Sequence, residues 1–206
     1  MEGANQLKSL LGNDKVIIRF LTLYGLGLLL FFISWMIAYY FLPEGLLRGV
    51  GVLGALAGDK AANNMGIEFL KIFGLNLLGW SFIISGNYIL RVNYFSFGYL
   101  IPLVWMIMYG ATLGSNSFSI PLEESLAPSL SVFTRSGLYE MMAGTLFAVA
   151  TYSISVNQSA SFFSRSTPVP KEKRASLKKE DWIAIGMAVF ILAGAALREA
   201  YMITNL

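Results

Sequence analysis

The sequence predicts an all-α protein: a polytopic transmembrane helix bundle with about five spans, plus a short amphipathic helix that lies at the interface or re-enters the protein. Three observations carry this. Of 206 residues, 56% are hydrophobic and 13% charged, whereas a soluble domain carries about a quarter charged residues. The mean hydropathy is +0.62. The charges also fall into a few short stretches, with long apolar runs between them. Such a chain lacks the polar groups to cover its surface in water and needs hydrocarbon as solvent. Its length fits one domain, 1–206.

The elements follow in order. Residues 1–15 are polar and do not read as a cleaved signal peptide, because the apolar run behind them is too long and lacks a small-residue cleavage site. The first span is 16–42, ended by Pro43. Residues 44–67 are rich in Gly and Ala and read as an extramembrane or interfacial connection. The second span is 69–90, and a very short turn after Arg91 leads to the third, 94–114, as an antiparallel hairpin. Leu122, Leu126, Leu130 and Phe133 recur at helical spacing, with Pro121 at a first helical position and Glu123 and Glu124 in a first turn. They predict the amphipathic helix, over 121–135, kinked at Pro128. The fourth span is 137–156. A basic loop covers 157–181, and the fifth span is 182–204, with Asp181 as its cap and Trp182 at headgroup level.

Five spans put the termini on opposite sides. With the basic loop inside, the N-terminus is cytoplasmic and the C-terminus outside, in the cell membrane. Ten of the 15 Lys and Arg residues then lie on the cytoplasmic side, as the positive-inside rule requires. Asn157-Gln158-Ser159 matches a glycosylation pattern but faces the cytoplasm in this arrangement.

The chain has no Cys and no His. That excludes disulfides, thiolate nucleophiles, His bases and ordinary zinc sites. The net charge is +3, with no basic stripe that reads as a nucleic-acid site. No catalytic constellation is visible, so the expectation is a non-enzyme with no cofactor and no metal. Membrane lipid is the expected surrounding, with a homo-oligomer or protein partners at the basic loop as the interactions to consider, and no nucleic acid.

Glu140 is the sharpest candidate, since a carboxylate about one turn inside a span usually faces protein or a water-filled cavity. It reads either as an ion, proton or substrate contact, or as a structural pair, most simply with Arg135. Glu123 and Glu124 form a second acidic cluster. They do not fit the EExxxR pattern of intramembrane proteases, because Pro128 occupies the Arg position. Asn76 brings a polar group to the second span, and Glu68, just before it, could join Glu140 and Asn76 in lining a polar path. Gly110 and Gly114 form a GxxxG that lets two backbones approach, and Gly144 with Ala148 forms a similar pair. Packing within the chain is the favoured use of both, with dimerisation as the alternative.

Three stretches, NNMGIEFLKIFGLNLLGWSF, LVWMIMYGATLGSN and RSGLYEMMAGTLFAVA, together resemble the SpoIIM family of stage II sporulation protein M-like integral membrane proteins, over roughly residues 63–156. Gly110 and Gly114 match the family's glycine pair, Gly137 and Glu140 the Gly and Glu of its later motif, and Asn76 its Asn. Tyr109 stands where Asn is expected and Ser136 where His is expected, so chemistry needing that His is absent. The resemblance implies a multi-pass protein without enzymatic activity, a membrane scaffold or assembly component. The rival expectation is a small ion or solute transporter or channel using Glu140 and the polar residues of the second span.

Overall fold

The computed structural model describes residues 2–50, 62, 64–118 and 121–205. It is mostly helical, at 68%. The helices are α1 (Glu2–Leu11), α2 (Val16–Phe41), α3 (Met65–Ile89), α4 (Leu100–Gly114), α5 (Ser136–Ala150) and α6 (Lys179–Thr204). Four helical stretches are long and apolar enough to cross a membrane: α2, α3, Phe97–Gly114 and α6. Their outer faces carry large exposed apolar side chains, such as Leu21, Leu70 and Phe190, which a bilayer would cover.

Local chemistry sets the helix ends. Leu42 is extended ahead of Pro43, as the residue before a proline prefers, and α2 stops there. The Asn64 side chain accepts hydrogen bonds from the backbone N–H of Gly66 (2.7 Å) and Ile67 (3.4 Å), so α3 begins four residues ahead of the expected 69. Asp181 acts from inside the first turn of α6, not as the cap residue: its Oδ2 accepts from the Lys178 backbone N–H at 2.9 Å, and the helix starts at Lys179.

α2 and α4 run side by side in the same direction. Gly27 lies against Met106, Gly110 against Phe31 and Gly114 against Trp35 and Tyr39. α5 and α6 run opposite ways: Ser136 meets Glu199 at one end, while Asp181 lies beside the Val149 end at the other. The close approach of Gly86 to Gly98 sets the C-terminal end of α3 against the turn that leads into α4. The helices thus share two apolar cores: Phe31, Trp35, Met106, Leu113, Val132 and Leu138 fill one half of the bundle, and Leu23, Trp80, Ile83, Tyr99, Phe147 and Leu192 fill the other.

Several expectations change. The connection after α3 is a hairpin of two strands, β1 (Arg91–Val92) and β2 (Phe95–Ser96), turning through Asn93 at φ 53°. α4 then packs chiefly on α2, not on α3 as a helical hairpin would. The basic loop adds β3 (Asn157–Ser159) and β4 (Thr167–Pro168), giving a four-stranded sheet in the order β2-β1-β3-β4, with β1 and β3 parallel. This small sheet lies at one end of the helices, hereafter the basic-loop end.

The helix expected at 121–135 is not formed. Within it the described chain is irregular up to Ser129, followed by a 3-10 turn at Leu130–Thr134. Two prolines break the N–H pattern, and neighbouring side chains take the place of helical hydrogen bonds. Asn116 bonds Leu122 through both its Oδ1 (2.9 Å) and its Nδ2 (2.8 Å), and the Trp35 indole donates to the Leu126 carbonyl at 2.7 Å. The supposed apolar face is split: Leu130 is exposed, whereas Val132, off that face, is buried. The segment is held at a few points only, by the Trp35 bond to Leu126, the Phe32–Phe133 ring contact and the buried Val132, and most of its other residues are exposed.

The helix found where a fourth span is expected, at 137–156, is shorter and is not among the four stretches long and apolar enough to cross a membrane. α5 has 15 residues and ends at Ala150, a rise of about 22 Å, and every residue from Ala143 to Ala150 is buried. The Thr151 hydroxyl bonds back to the Phe147 carbonyl at 2.9 Å, and a 3-10 turn follows. Whether the glycine-rich connection enters the membrane falls on residues 51–61 and 63, outside the described residues.

Candidate functional site

A cavity of about 620 Å³ opens away from the basic-loop end. Four pieces of chain build it. α4 contributes Tyr109, α5 contributes Gly137, Glu140 and Met141, α6 contributes Arg198, Glu199 and Met202, and the irregular segment contributes Leu122, Thr134 and Arg135. Gly137 is needed here. A Cβ on it would sit 2.5 Å from the Tyr109 ring, so only glycine lets that ring lie against the first turn of α5.

Glu140 is the core of the site. Its Oε1 is shut off from solvent and has no hydrogen-bond partner among the described residues. Its carboxyl interacts with that of Glu199 and with the side chain of Asn76. Asn76 sits near the middle of α3 and anchors its own amide on the Ile72 carbonyl at 3.1 Å. It also lines a smaller adjoining cavity of about 190 Å³ with Trp105, Met108 and Met141. Ser136 donates to Glu199 Oε2 at 3.3 Å. Two carboxyls thus face each other in an apolar wall, with the guanidinium groups of Arg135 and Arg198 on the same cavity.

The Arg135–Glu140 pair considered from the sequence is not among the ion pairs of the described residues. Arg135 lines the cavity, but the near neighbour of Glu140 is another acid. Glu199 was missed because it reads as one more charge near the end of an apolar helix. The signal that could have found it is its place as a carboxylate inside the last span.

The remaining candidates lie elsewhere. Glu68 is buried at the start of α3, where Oε2 accepts from the Ala62 N–H at 2.6 Å and Oε1 is 3.7 Å from the Lys71 ammonium. It closes a helix end and does not line the cavity. Glu123 and Glu124 are exposed on a bend, without a helix to cap. Gly110 and Gly114 seat α4 on α2: a Cβ on Gly114 would come within 2.6 Å of both the Trp35 carbonyl and the Tyr39 N–H. Ser34 reinforces this seam by donating to the Ile107 carbonyl at 2.9 Å. Gly144 has only ordinary contacts, with Trp105 and Trp80 at 3.6 Å from a notional Cβ.

A second polar centre, not singled out from the sequence, occupies the basic-loop end. Arg19 is 5% exposed. Its guanidinium pairs with Asp181 Oδ1 at 3.0 Å and donates to the carbonyls of Val149, Asn13 and Asp14. It also lies over the Tyr152 ring, 5.2 Å from the centroid, with Arg91 at 5.1 Å from the same ring. Arg19 therefore ties the start of α2, the end of α5 and the first turn of α6. Every donor direction is used, so this centre reads as a structural lock.

Among the described residues no group of three or more acidic, His or Cys side chains could hold a metal ion. No protein-family model, no curated protein and no solved structure matches the chain.

Proposed function

We propose that the protein binds a small cationic solute at the Glu140–Glu199 cavity and passes it across the membrane. The observation that carries this is the buried carboxyl of Glu140 lying against that of Glu199 in the wall of a cavity of about 620 Å³, with Glu140 Oε1 left without a hydrogen-bond partner among the described residues. A carboxylate in low-dielectric surroundings is costly unless a cation or a proton compensates it. Two facing carboxylates therefore favour a monovalent cation, a protonated amine or a proton, with Asn76 as a further ligand toward mid-helix.

In this reading the chain crosses the cell membrane five times. The fourth crossing is shared between the irregular segment before Ser136 and α5, with the N-terminus cytoplasmic. The second reading is the non-catalytic scaffold of SpoIIM type. The positions of Gly137 and Glu140 and the exposed basic loop support it. The cavity supports transport more directly, because a scaffold has no use for two facing carboxyls.

Binding is tested by thermal unfolding of the purified protein in detergent against a panel of alkali cations and small amines. A ligand at about 100 times its Kd stabilises the folded state by about 2.7 kcal/mol. The expected outcome is stabilisation by one class that disappears in Glu140→Gln. Equal stabilities across the panel in the wild type would contradict the proposal.

A further inference from the structure

The basic-loop end carries an aromatic patch that the cavity reading does not use. Phe163 is fully exposed and Phe162 is 63% exposed, both at the tip of the β3–β4 hairpin. Beside them Leu11, Tyr94 and Phe95 wall a cavity of about 380 Å³. On α1, Leu7 and Leu10 stand exposed one turn apart. Chain from 160 to 180 holds six Lys and Arg residues against Glu172 and Glu180, and all of these charges are exposed.

The level of this patch is set by its contacts. The Phe162 ring lies 6.4 Å from that of Phe97, the first residue of a stretch able to cross the membrane. It also lies 6.2 Å from Phe95. The exposed Trp182 stands in the first turn of α6 at the same end. Aromatic rings gather where hydrocarbon meets headgroups, and basic residues just outside that boundary attract anionic lipid.

We propose that this end is a docking surface for anionic lipid, with Phe162 and Phe163 inserted among the acyl chains and Arg165, Lys171 and Lys173 at the phosphates. The hairpin thereby fixes the depth of the sheet against the bilayer. This does not depend on the cavity binding a solute.

The chain has no cysteine, so a single nitroxide can be placed at Ser166→Cys, an exposed position three residues beyond Phe163. Its collision rates with oxygen and with a water-soluble nickel chelate report its depth in the full-length protein. The measurement compares phosphatidylcholine vesicles with vesicles doped with phosphatidylglycerol. The expected result is a shift toward oxygen in the doped vesicles, reversed in a Phe162→Ser, Phe163→Ser variant and weakened at high salt. Both replaced side chains are exposed, so the variant keeps its fold, and an unchanged melting temperature in detergent checks this. Equal nickel access in both vesicles would overturn the proposal. So would protection from both probes in detergent without lipid, which would point to contact with a second copy of the chain.

Discussion

Breaking the Arg19–Asp181 pair leaves one buried charge alone. Both residues are buried, and removing one partner of such a pair costs about 3–5 kcal/mol. Arg19→Ala is therefore expected to lower the melting temperature in detergent sharply, and Asp181→Ala to do the same. Replacing both by apolar side chains should recover much of the loss. A single variant with wild-type stability would contradict the lock. The glycines allow a finer comparison. Gly114→Val would push a side chain into the backbone of Trp35 and Tyr39, and overpacking of this kind costs about 1–3 kcal/mol. Gly74 has open space around its Cβ position, so Gly74→Ala should shift stability by no more than about 0.5 kcal/mol. Equal effects at the two sites would contradict the α2–α4 seam.

The segment from Pro121 to Arg135 shows what periodicity misreads. Its leucines recur as in a helix, yet Pro121 and Pro128 withhold N–H groups and Asn116 and Trp35 bond the freed backbone. Trp35→Phe would leave the Leu126 carbonyl without its donor, at a cost of about 1–3 kcal/mol. Faster hydrogen exchange across 121–135, with α2 itself unchanged, is the expected outcome. Unchanged exchange would show that the segment is held by the Asn116 bonds and the packing of Val132, without the indole. By contrast, α2 and the body of α6 were legible, because each is one long apolar run, and Pro43 stops the first of them. The end of α5 at Ala150 was hidden, since apolar residues continue beyond it and only the back-bonded Thr151 marks the break. The sheet was hidden too, because strands of two or three residues paired across distant loops leave no alternation to read. In the candidate site, Glu140 was legible as a carboxylate about one turn inside an apolar run. Its meeting with Glu199 was not, because it depends on α5 and α6 running antiparallel.

For the whole molecule, the helix directions place the basic loop and residue 13 at one end and the cavity at the other. Single cysteines at Ser166 and Asn205 should therefore react with a membrane-impermeant maleimide from opposite sides of sealed vesicles. Labelling of both from one side would contradict the five-crossing arrangement. Glu140 lines the cavity with the exposed Arg198, and its carboxyl also interacts with the mid-helix Asn76. The most direct measurement is solute flux into proteoliposomes, comparing wild type with Glu140→Gln and Glu199→Gln under a gradient of the cation or amine that stabilises the protein. A flux in the wild type that falls at least tenfold in both variants, with their melting temperatures in detergent unchanged, is the predicted result. No flux in the wild type, or the same flux in all three proteins, would contradict it.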